Sequence, residues 1–411
     1  MNQKILVQKF GGTSVGSPDR IRAVADICIE TKEKENCGLV VIVSAMGDTT
    51  DDLISLMDQI TDDPFDREVD MLLSTGEQIS VALLTMALHK KGQKAISFTG
   101  WQAGIKTESI HSKARIKDID TSRILEALKE NKIVIITGFQ GISEEKEITT
   151  LGRGGSDTSA VAIAAALKAE RCDIYTDVDA VHTADPRIVK NTGKLKYITY
   201  NEMLELAARG AKVLHPRSVE TAKSFNLPLR VRSSWEKNNV GTLIIKDTQM
   251  LEGKHGVTGV AIDLEQARLS IIGVADTPGI SYKIFSKLAE KNISVDLIIQ
   301  SISSHNLAEV DFTVKKSDLK KAKQILEETA KELNAKSITS DDSIAKISIV
   351  GAGMIDEAGI AAKMFETLGK NNINIQMIST GEIHISCIIN ESDAEKAINL
   401  IHDAFELHKL K

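Results

Sequence analysis

The run Leu39–Val43 narrows what this chain can become more than any other stretch, because it is apolar throughout and rich in β-branched residues. Such a run suits a strand buried on both faces, which is the situation inside a parallel sheet covered by helices. The same theme recurs along the first half. Lys4–Phe10 alternates apolar and polar residues up to the turn Gly11-Gly12-Thr13-Ser14, and further strands are expected at Lys94–Phe98, Ile133–Thr137 and Cys172–Thr176. Helical patterns lie between them. Ser17-Pro18 offers a cap and a first-turn proline for a helix to about Glu33, periodicity returns from Arg67 to His89, and Ala160–Leu167 is a run of small residues. This alternation predicts a three-layer α/β domain with a largely parallel sheet.

In such sheets ligands sit beyond the carboxyl ends of the strands. Lys9 with Gly11-Gly12, Ser44 with Thr50 on a polar loop, Gly138 and Asp177 all fall at or just after predicted ends, which points to a phosphate-handling pocket. The chain contains no GxxxxGK[ST] motif, and no GxGxxG follows the first strand, so the pocket is neither a P-loop nor a dinucleotide site. The densest stretch is Leu151-Gly152-Arg153-Gly154-Gly155-Ser156-Asp157-Thr158-Ser159. Its glycines allow close approach to an anion, its Ser/Asp/Thr set is expected to cap the following helix, and Arg153 offers a planar fork for carboxylate or phosphate. A second stretch, Thr176–Arg187, carries three aspartates suited to a magnesium–nucleotide complex, with Arg187 in reach of a phosphate. His182 reads as a loop histidine, and Lys212-Val213-Leu214-His215-Pro216 adds a basic residue before a capped helix.

Composition excludes several classes. At 411 residues the chain should divide into about two to four domains. The net charge of −6, without any basic tract, argues against nucleic acid, and aromatic content of 4% gives few stacking platforms for bases. No apolar run reaches the roughly 20 residues of a membrane span, and the start goes directly into a strand pattern. Cys28, Cys37, Cys172 and Cys387 lack metal-ligand or disulfide spacing and read as reduced thiols, so a cytoplasmic protein without a resident metal centre is expected.

The second half repeats itself. Pro228–Ser233 is expected to be the last strand of the first domain, with Trp235–Asn239 opening a polar connection and a boundary near Thr248. Beyond it, Ala267–Gly273 answers to Ala345–Gly351, Gly279-Ile280 to Gly359-Ile360, Asn292-Ile293 to Asn372-Ile373, and Ser317-Asp318 to Ser392-Asp393. Each copy reads as a ferredoxin-like βαββαβ unit. The expected division is 1–248 for the first domain and 249–411 for the second region, with units at about 263–342 and 343–411. The segment His255–Ile262 (within 254–262) is expected to add a strand to the second unit from outside it. Met250 at the boundary allows an internal start and a separate chain.

Taken together, Lys9–Ser14, the Gly152–Ser156 turn with Asp157, the Thr176–Arg187 stretch and Lys212–Pro216 resemble the aspartokinases of the amino-acid kinase fold, and the repeats resemble ACT domains. The resemblance implies transfer of the ATP γ-phosphate to the β-carboxylate of L-aspartate, the first step towards lysine, threonine, methionine and diaminopimelate, with Mg2+ accompanying ATP. It implies that Lys9, with the Gly11 and Gly12 amides, stabilises the moving phosphoryl group. Arg153 would hold the substrate α-carboxylate and Glu77 its ammonium, while Ser44, Thr50, Gly154, Gly155 and Ser156 complete the pocket. Asp157 would orient lysines or assist magnesium. Phe10, Thr176, Asp177, His182, Arg187, Lys212 and Val213 would line the nucleotide site; many relatives carry tyrosine at His182, which leaves that side chain's role open. In the repeats, Asp276, Gly279, Ile280 and Gln300, with Asn374 and Ile375 as partners, would bind an effector amino acid, lysine or threonine or both. Exposed ferredoxin-like edges suggest a homo-oligomer. The alternatives are a related kinase acting on glutamate, and a non-catalytic amino-acid sensor on a kinase scaffold.

Overall fold

The computed structural model describes residues 4–211, 213–236, 239–246, 256–302, 307–355 and 357–410. The chain opens with β1 (Ile5–Phe10) and α1 (Pro18–Glu35), whose Ser17 hydroxyl caps the helix by accepting from the Arg20 amide at 3.3 Å. β2 (Gly38–Val43) is buried at every residue. The following segment, expected as loop alone, turns at Thr49 into α2 (Thr49–Asp58). The long helical pattern divides at Ser74 into α3 (Asp66–Leu73) and α4 (Thr75–Lys90). By length and composition Asp66–Lys90 matches a membrane-crossing helix, yet half of it is buried inside the fold, as in a core helix of a folded domain. There follow β3 (Ala95–Phe98), β4 (Ile105–Thr107), β5 (Ile116–Ile119), α5 (Ser122–Lys129), β6 (Ile133–Thr137), β7 (Gln140–Ile142) and β8 (Ile148–Thr150). α6 (Gly155–Ala166), β9 (Arg171–Thr176), β10 (Tyr197–Thr199), α7 (Tyr200–Ala208), α8 (Pro216–Ser224), β11 (Leu229–Ser233) and β12 (Thr242–Ile245) complete the first half.

Eight strands form the main sheet in the order β10-β12-β11-β9-β1-β2-β6-β3, parallel throughout except for the β11–β12 pair. Burial on both faces explains the continuous apolar run. Val40 and Ile42 pack on one side with Ala160, Val161 and Ile163 of α6, while Leu39, Val41 and Val43 pack on the other with α1 and α4. β11 is not the last strand of this half: β12 returns antiparallel beside it, in a Thr-Leu-Ile-Ile stretch too short to stand out from the polar connection. Also unanticipated is a four-stranded sheet, β5-β4-β7-β8, built from strands of three or four residues. Asp70 of α3 anchors it. The carboxylate is fully buried and accepts from the Ser112 amide at 3.0 Å and the Thr150 hydroxyl at 2.5 Å, with His111 Nδ1 at 2.8 Å.

The second half contains β13 (Gly259–Asp263), β14 (Gln266–Ala275), α9 (Ile280–Glu290), β15 (Val295–Ile302), β16 (Leu307–Lys315), α10 (Leu319–Glu332) and β17 (Ser337–Asp341). It ends with β18 (Ile344–Val350), α11 (Ile360–Lys370), β19 (Met377–Thr380), β20 (His384–Asn390) and α12 (Ala394–Ala404). The first unit is a complete βαββαβ with sheet order β15-β16-β14-β17. In the second, no last strand follows α12 among the described residues, and β13, from the segment expected to add a strand from outside, takes the place that β17 holds in the first, pairing antiparallel with β18. Met250 lies outside the described residues.

β13 ties the halves together. The Val260 amide donates to Thr183 O at 2.8 Å, and Glu202 of α7 serves both sides of the junction. One Glu202 oxygen accepts from the amide and hydroxyl of Thr199 in a capping box, at 3.1 and 2.8 Å. The other accepts from the Thr258 hydroxyl at 2.6 Å and the Ala352 amide at 3.0 Å. A carboxamide replaces one acceptor with a donor facing donors, and a buried group left unpaired costs about 1–3 kcal/mol. Glu202→Gln should therefore lower unfolding stability by about 2 kcal/mol in urea titrations; an unchanged midpoint and slope would show that the junction does not depend on this carboxylate.

Candidate active site and effector cleft

Register sets the chemistry. Phe10 pairs level with Val43 and Tyr175, and Val43 with Thr137, so β1, β2, β6 and β9 end along one edge of the sheet. The backbone ladder continues past these ends: Gly11 N donates to Tyr175 O, Ser44 N to Phe10 O, and Gly138 N to Val43 O, at 3.3, 3.1 and 3.0 Å. Each polar turn is thus held by its neighbour rather than left as a free loop. At Gly138 a Cβ would lie 2.6 Å from Ser156 Cβ, so the absence of a side chain there lets the start of α6 approach β6.

A cleft of about 310 Å³ opens on this edge, lined by Lys9, Gly12, Ser44, Thr50, Glu77, Phe139 and Gly152–Asp157. Lys9 Nζ sits 2.6 Å from Asp157 Oδ1, and both side chains are largely buried. Glu77 is 3% exposed; its Oε1 accepts from the Ala45 amide at 3.2 Å, and its Oε2 is buried without a partner. Burial pushes its pKa up to about 7, against the opposing hydrogen bonds from backbone amides. Arg153 is exposed at the rim and has no hydrogen bond or ion pair among the described residues.

The helix α6 starts differently from expectation. Its N-cap is Gly154, left-handed at φ 72°, and no side chain caps it. A Cβ on Gly154 would lie 2.3 Å from His215 Cγ, so both the conformation and the space require glycine. Thr158 and Ser159 turn back to the carbonyls of Gly154 and Gly155 at 3.0 and 2.9 Å. The uncapped amino end is thereby left to attract an anion in the cleft. Arg217 fixes the turn from behind, donating to Leu151 O at 2.8 Å and Ala114 O at 3.3 Å. A larger groove of about 840 Å³ lies on that far side, between α6, α8 and β5, and none of the expected site residues line it.

A second cleft of about 670 Å³ gathers Asp177, His182, Arg187 and Val213 with Trp235 and Glu236. His182 is held at both nitrogens, 2.7 Å from Thr192 Oγ1 and 2.7 Å from Asp179 Oδ1. Asp179 also pairs with Lys194, and Asp185 with Arg187 at 2.6 Å. Asp177 is the exposed carboxylate of the three, bonded to the Thr176 hydroxyl at 2.9 Å. Phe10 departs from its expected place at the nucleotide: its ring is fully buried and stacks on Tyr175 at 4.5 Å. Thr176 adjoins the cleft through Asp177, and Lys212 lies outside the described residues. Sequence reasoning missed Trp235, whose indole lies under the Arg20 guanidinium at 3.3 Å. It also missed the opposite wall, which is Val260, Ala261 and Ile262 of β13 and Ile398 of α12.

A third cleft, about 470 Å³, collects Asp276, Gly279, Ile280 and Gln300 of the first repeat unit, with Ser281 donating to Gln300 Oε1 at 2.8 Å. Gly279 caps α9 in the left-handed conformation, as Gly359 caps α11. Asn374 and Ile375, before β19, are not among the residues lining this cleft. β15, which carries Gln300, also carries Asp296. That carboxylate pairs with Lys346, a lysine 1% exposed, and stands 3.9 Å from Arg209 of α7. Arg209 in turn donates to His384 Nε2 at 2.9 Å and Glu205 at 3.2 Å.

The site is thus a lysine, an arginine and a buried carboxylate beside a helix amino end, in a parallel-sheet domain that also carries a second roomy cleft. The amino acid kinase family model matches residues 4–233, and the ACT domain model matches 269–329 and 347–405. Over 405 residues the chain is 51% identical to aspartokinase 2 of Bacillus subtilis, covering 98% of each, and 47% identical over 407 residues to the aspartokinase of Corynebacterium glutamicum, covering 98% and 96%. Among solved structures it resembles E. coli aspartokinase III in complex with aspartate and ADP (R-state), with a TM-score of 0.81 at 26% identity over 98% of this chain and 99% of that one. The chain belongs to the aspartokinase family.

Glu77 makes a pH prediction that rests on its burial alone. With a folded pKa raised to about 7, above the ordinary carboxylate value, the folded chain retains a proton that the unfolded chain has lost. Its contribution to stability is therefore fully present below about pH 4.5 and lost as pH rises through about 7. Glu77→Gln should gain stability relative to the parent between pH 5 and pH 8, by on the order of 2–3 kcal/mol. Parallel denaturation curves for the two proteins at both pH values would remove this account of Glu77.

Proposed function

We propose that the 310 Å³ cleft binds L-aspartate, that the adjoining cleft binds ATP with Mg2+, and that the chain transfers the γ-phosphate to the substrate β-carboxylate. The observation that carries this is Glu77: a buried carboxylate with one unpartnered oxygen, in the same cleft as a lysine and an unpaired arginine, suits a ligand bearing both an ammonium and carboxylates. In E. coli aspartokinase III, 26% identical, aspartate and ADP are bound together. The nucleophile is ionised at neutral pH, so no general base is required. A β-carboxylate oxygen forms the new bond to the γ-phosphorus, the bond to the bridging oxygen breaks, and ADP departs, leaving an acyl phosphate.

The protein's part is alignment and charge compensation. Lys9, held by Asp157, neutralises the transferring phosphoryl group together with the Gly12 amide, whereas the Gly11 amide, expected to share this role, is spent on Tyr175 O. Asp157 acts as the positioning group for that lysine. Arg153 takes the α-carboxylate, Glu77 the ammonium, and Ser44, Thr50, Gly154, Gly155 and Ser156 shape the pocket. Asp179 and Asp185 are already paired, which leaves Asp177 as the free carboxylate of the loop; that set fits Mg2+ carried mainly by phosphates and water, where it spreads the phosphate charge. Purified protein with aspartate and MgATP should give acyl phosphate trappable as a hydroxamate, and no product over a wide concentration range would refute the reading, as would a preference for glutamate in direct competition. Arg153→Ala should raise the aspartate KM about 10- to 100-fold, the equivalent of one charge-assisted pair, with little change for ATP. Equal effects on both substrates would reassign its partner.

Feedback regulation follows from the ACT units of the family. We infer that an end-product amino acid, lysine or threonine, binds at Asp276, Gly279, Ile280 and Gln300, and that Asn374 and Ile375 reach it only if a second copy of the chain supplies them. E. coli aspartokinase III has been solved with lysine and aspartate in its T-state, at a TM-score of 0.75. The chain from Gln300 through Asp296 to Lys346 and Arg209 offers a route to α7, whose Leu206 lines the nucleotide cleft. Asp296→Asn should leave the uninhibited rate intact and raise the half-inhibiting effector concentration about 3- to 10-fold. Inhibition measured with each amino acid singly and together checks both points, and an unshifted inhibition curve would exclude this route.

A further inference from the structure

The end of α12 carries a cluster that the kinase reading leaves unused. His402 is fully buried, and its Nε2 lies 2.9 Å from Thr183 Oγ1, which also accepts from the Gly193 amide at 2.9 Å. Its Nδ1 is buried without a hydrogen-bond partner. Asp403 Oδ1 stands 3.8 Å from that nitrogen, too far for a hydrogen bond. His408, on a 3-10 turn at Leu407–Lys409, brings a second imidazole, with the two ring centroids 6.4 Å apart. One ligand atom from each of the three residues lies within 4.8 Å of the others.

We propose that His402, Asp403 and His408 bind a divalent transition-metal ion of the zinc class. Two imidazoles and a carboxylate with a fourth position for water suit such an ion and do not suit magnesium, which prefers an octahedron of oxygens. The Thr183 contact supplies the outer support that metal-binding histidines use: with Nε2–H donated to Oγ1, Nδ1 carries the lone pair. Ligands at about 2.0–2.1 Å around a tetrahedral ion lie about 3.4 Å apart, so closure from separations of up to 4.8 Å needs a contraction of up to about 1.4 Å. Asp403 and His408 are exposed and free to make it, while His402 is fixed. The ion would tie the end of α12 to the Leu407–Lys409 turn, with His402 held in place by its bond to Thr183. It is separate from the phosphoryl-transfer site and independent of that assignment.

The test is titration of the untagged full-length chain with Co2+ alone, without nucleotide, followed by visible absorption. A d–d band should saturate at a single equivalent and be displaced by Zn2+. It should lack the charge-transfer band of a thiolate ligand, since all four cysteines are buried and elsewhere. His408→Ala and Asp403→Asn change exposed side chains and should each weaken binding at least tenfold with unchanged circular dichroism. Zn2+ should raise the melting temperature of the parent and leave that of His408→Ala unmoved. Absence of a band, a band of equal strength in both variants, or equal thermal shifts would each overturn the proposal.

Discussion

One carboxylate, Glu202, joins the two halves of the chain whose residues together line the cleft at Asp177 and His182. It accepts four hydrogen bonds, two that start α7 and two from the loops flanking the second ACT sheet. A carboxylate is the one side chain that can take four donors without supplying any. Because α7 and β13 are fixed to each other there, residues of both line the same cleft. The second ACT unit thereby supplies one wall of that cleft.

The topology follows from that junction. A ferredoxin-like unit normally closes its sheet with its own last strand, as β17 does in the first copy. In the second copy that edge is given to β13, whose outer side meets Thr183 through the Val260 amide. An edge strand with unpaired backbone groups would be a liability, and the contact with the kinase half covers part of it. The first copy touches the kinase half more lightly, through Asp296 and Arg209 at 3.9 Å, and packs Leu297 and Ile299 on Ile344, Met377 and Ile388 of the second.

The central strands were legible in the sequence because burial on both faces leaves a composition that few other environments tolerate. Ile133–Thr137 was read to the residue, and the glycine and hydroxyl turns at the strand ends meet on one edge because parallel register brings them there. What escaped was set by distant contacts. The start of α6 reads as a Ser/Asp/Thr cap, yet His215, sixty residues on, packs where a side chain on Gly154 would sit. Phe10 sits in a motif of ligand-binding residues, but the alternation of a strand sends its ring to the core. The three- and four-residue strands of the small sheet leave no periodicity to detect, and Asp70 holds the end of one of them through Thr150. The strand Gly259–Asp263 overlaps the stretch expected to add one; that its residues would line the cleft at Asp177 and His182 was not legible, since nothing local encodes the partner.

Among the contacts between the halves, those of Glu202 and of Arg209 with Asp296 differ in kind, and the difference bears on regulation. Glu202 is buried and fully bonded, so a change of state that broke it would forfeit several buried hydrogen bonds at once. The Arg209–Asp296 approach is longer, and Asp296 remains a third exposed, so it can open or close at small cost. Of these two contacts Glu202 is the firmer and Asp296 the looser, and Asp296 lies on β15, the strand that carries Gln300. Glu202 near the start of α7 and Arg209 at its C-cap bracket Leu206, which lines the same cleft as Gly210. Binding free energies linked in this way are reciprocal: an effector that weakens nucleotide binding must itself bind more weakly, by the same factor, when the nucleotide is present.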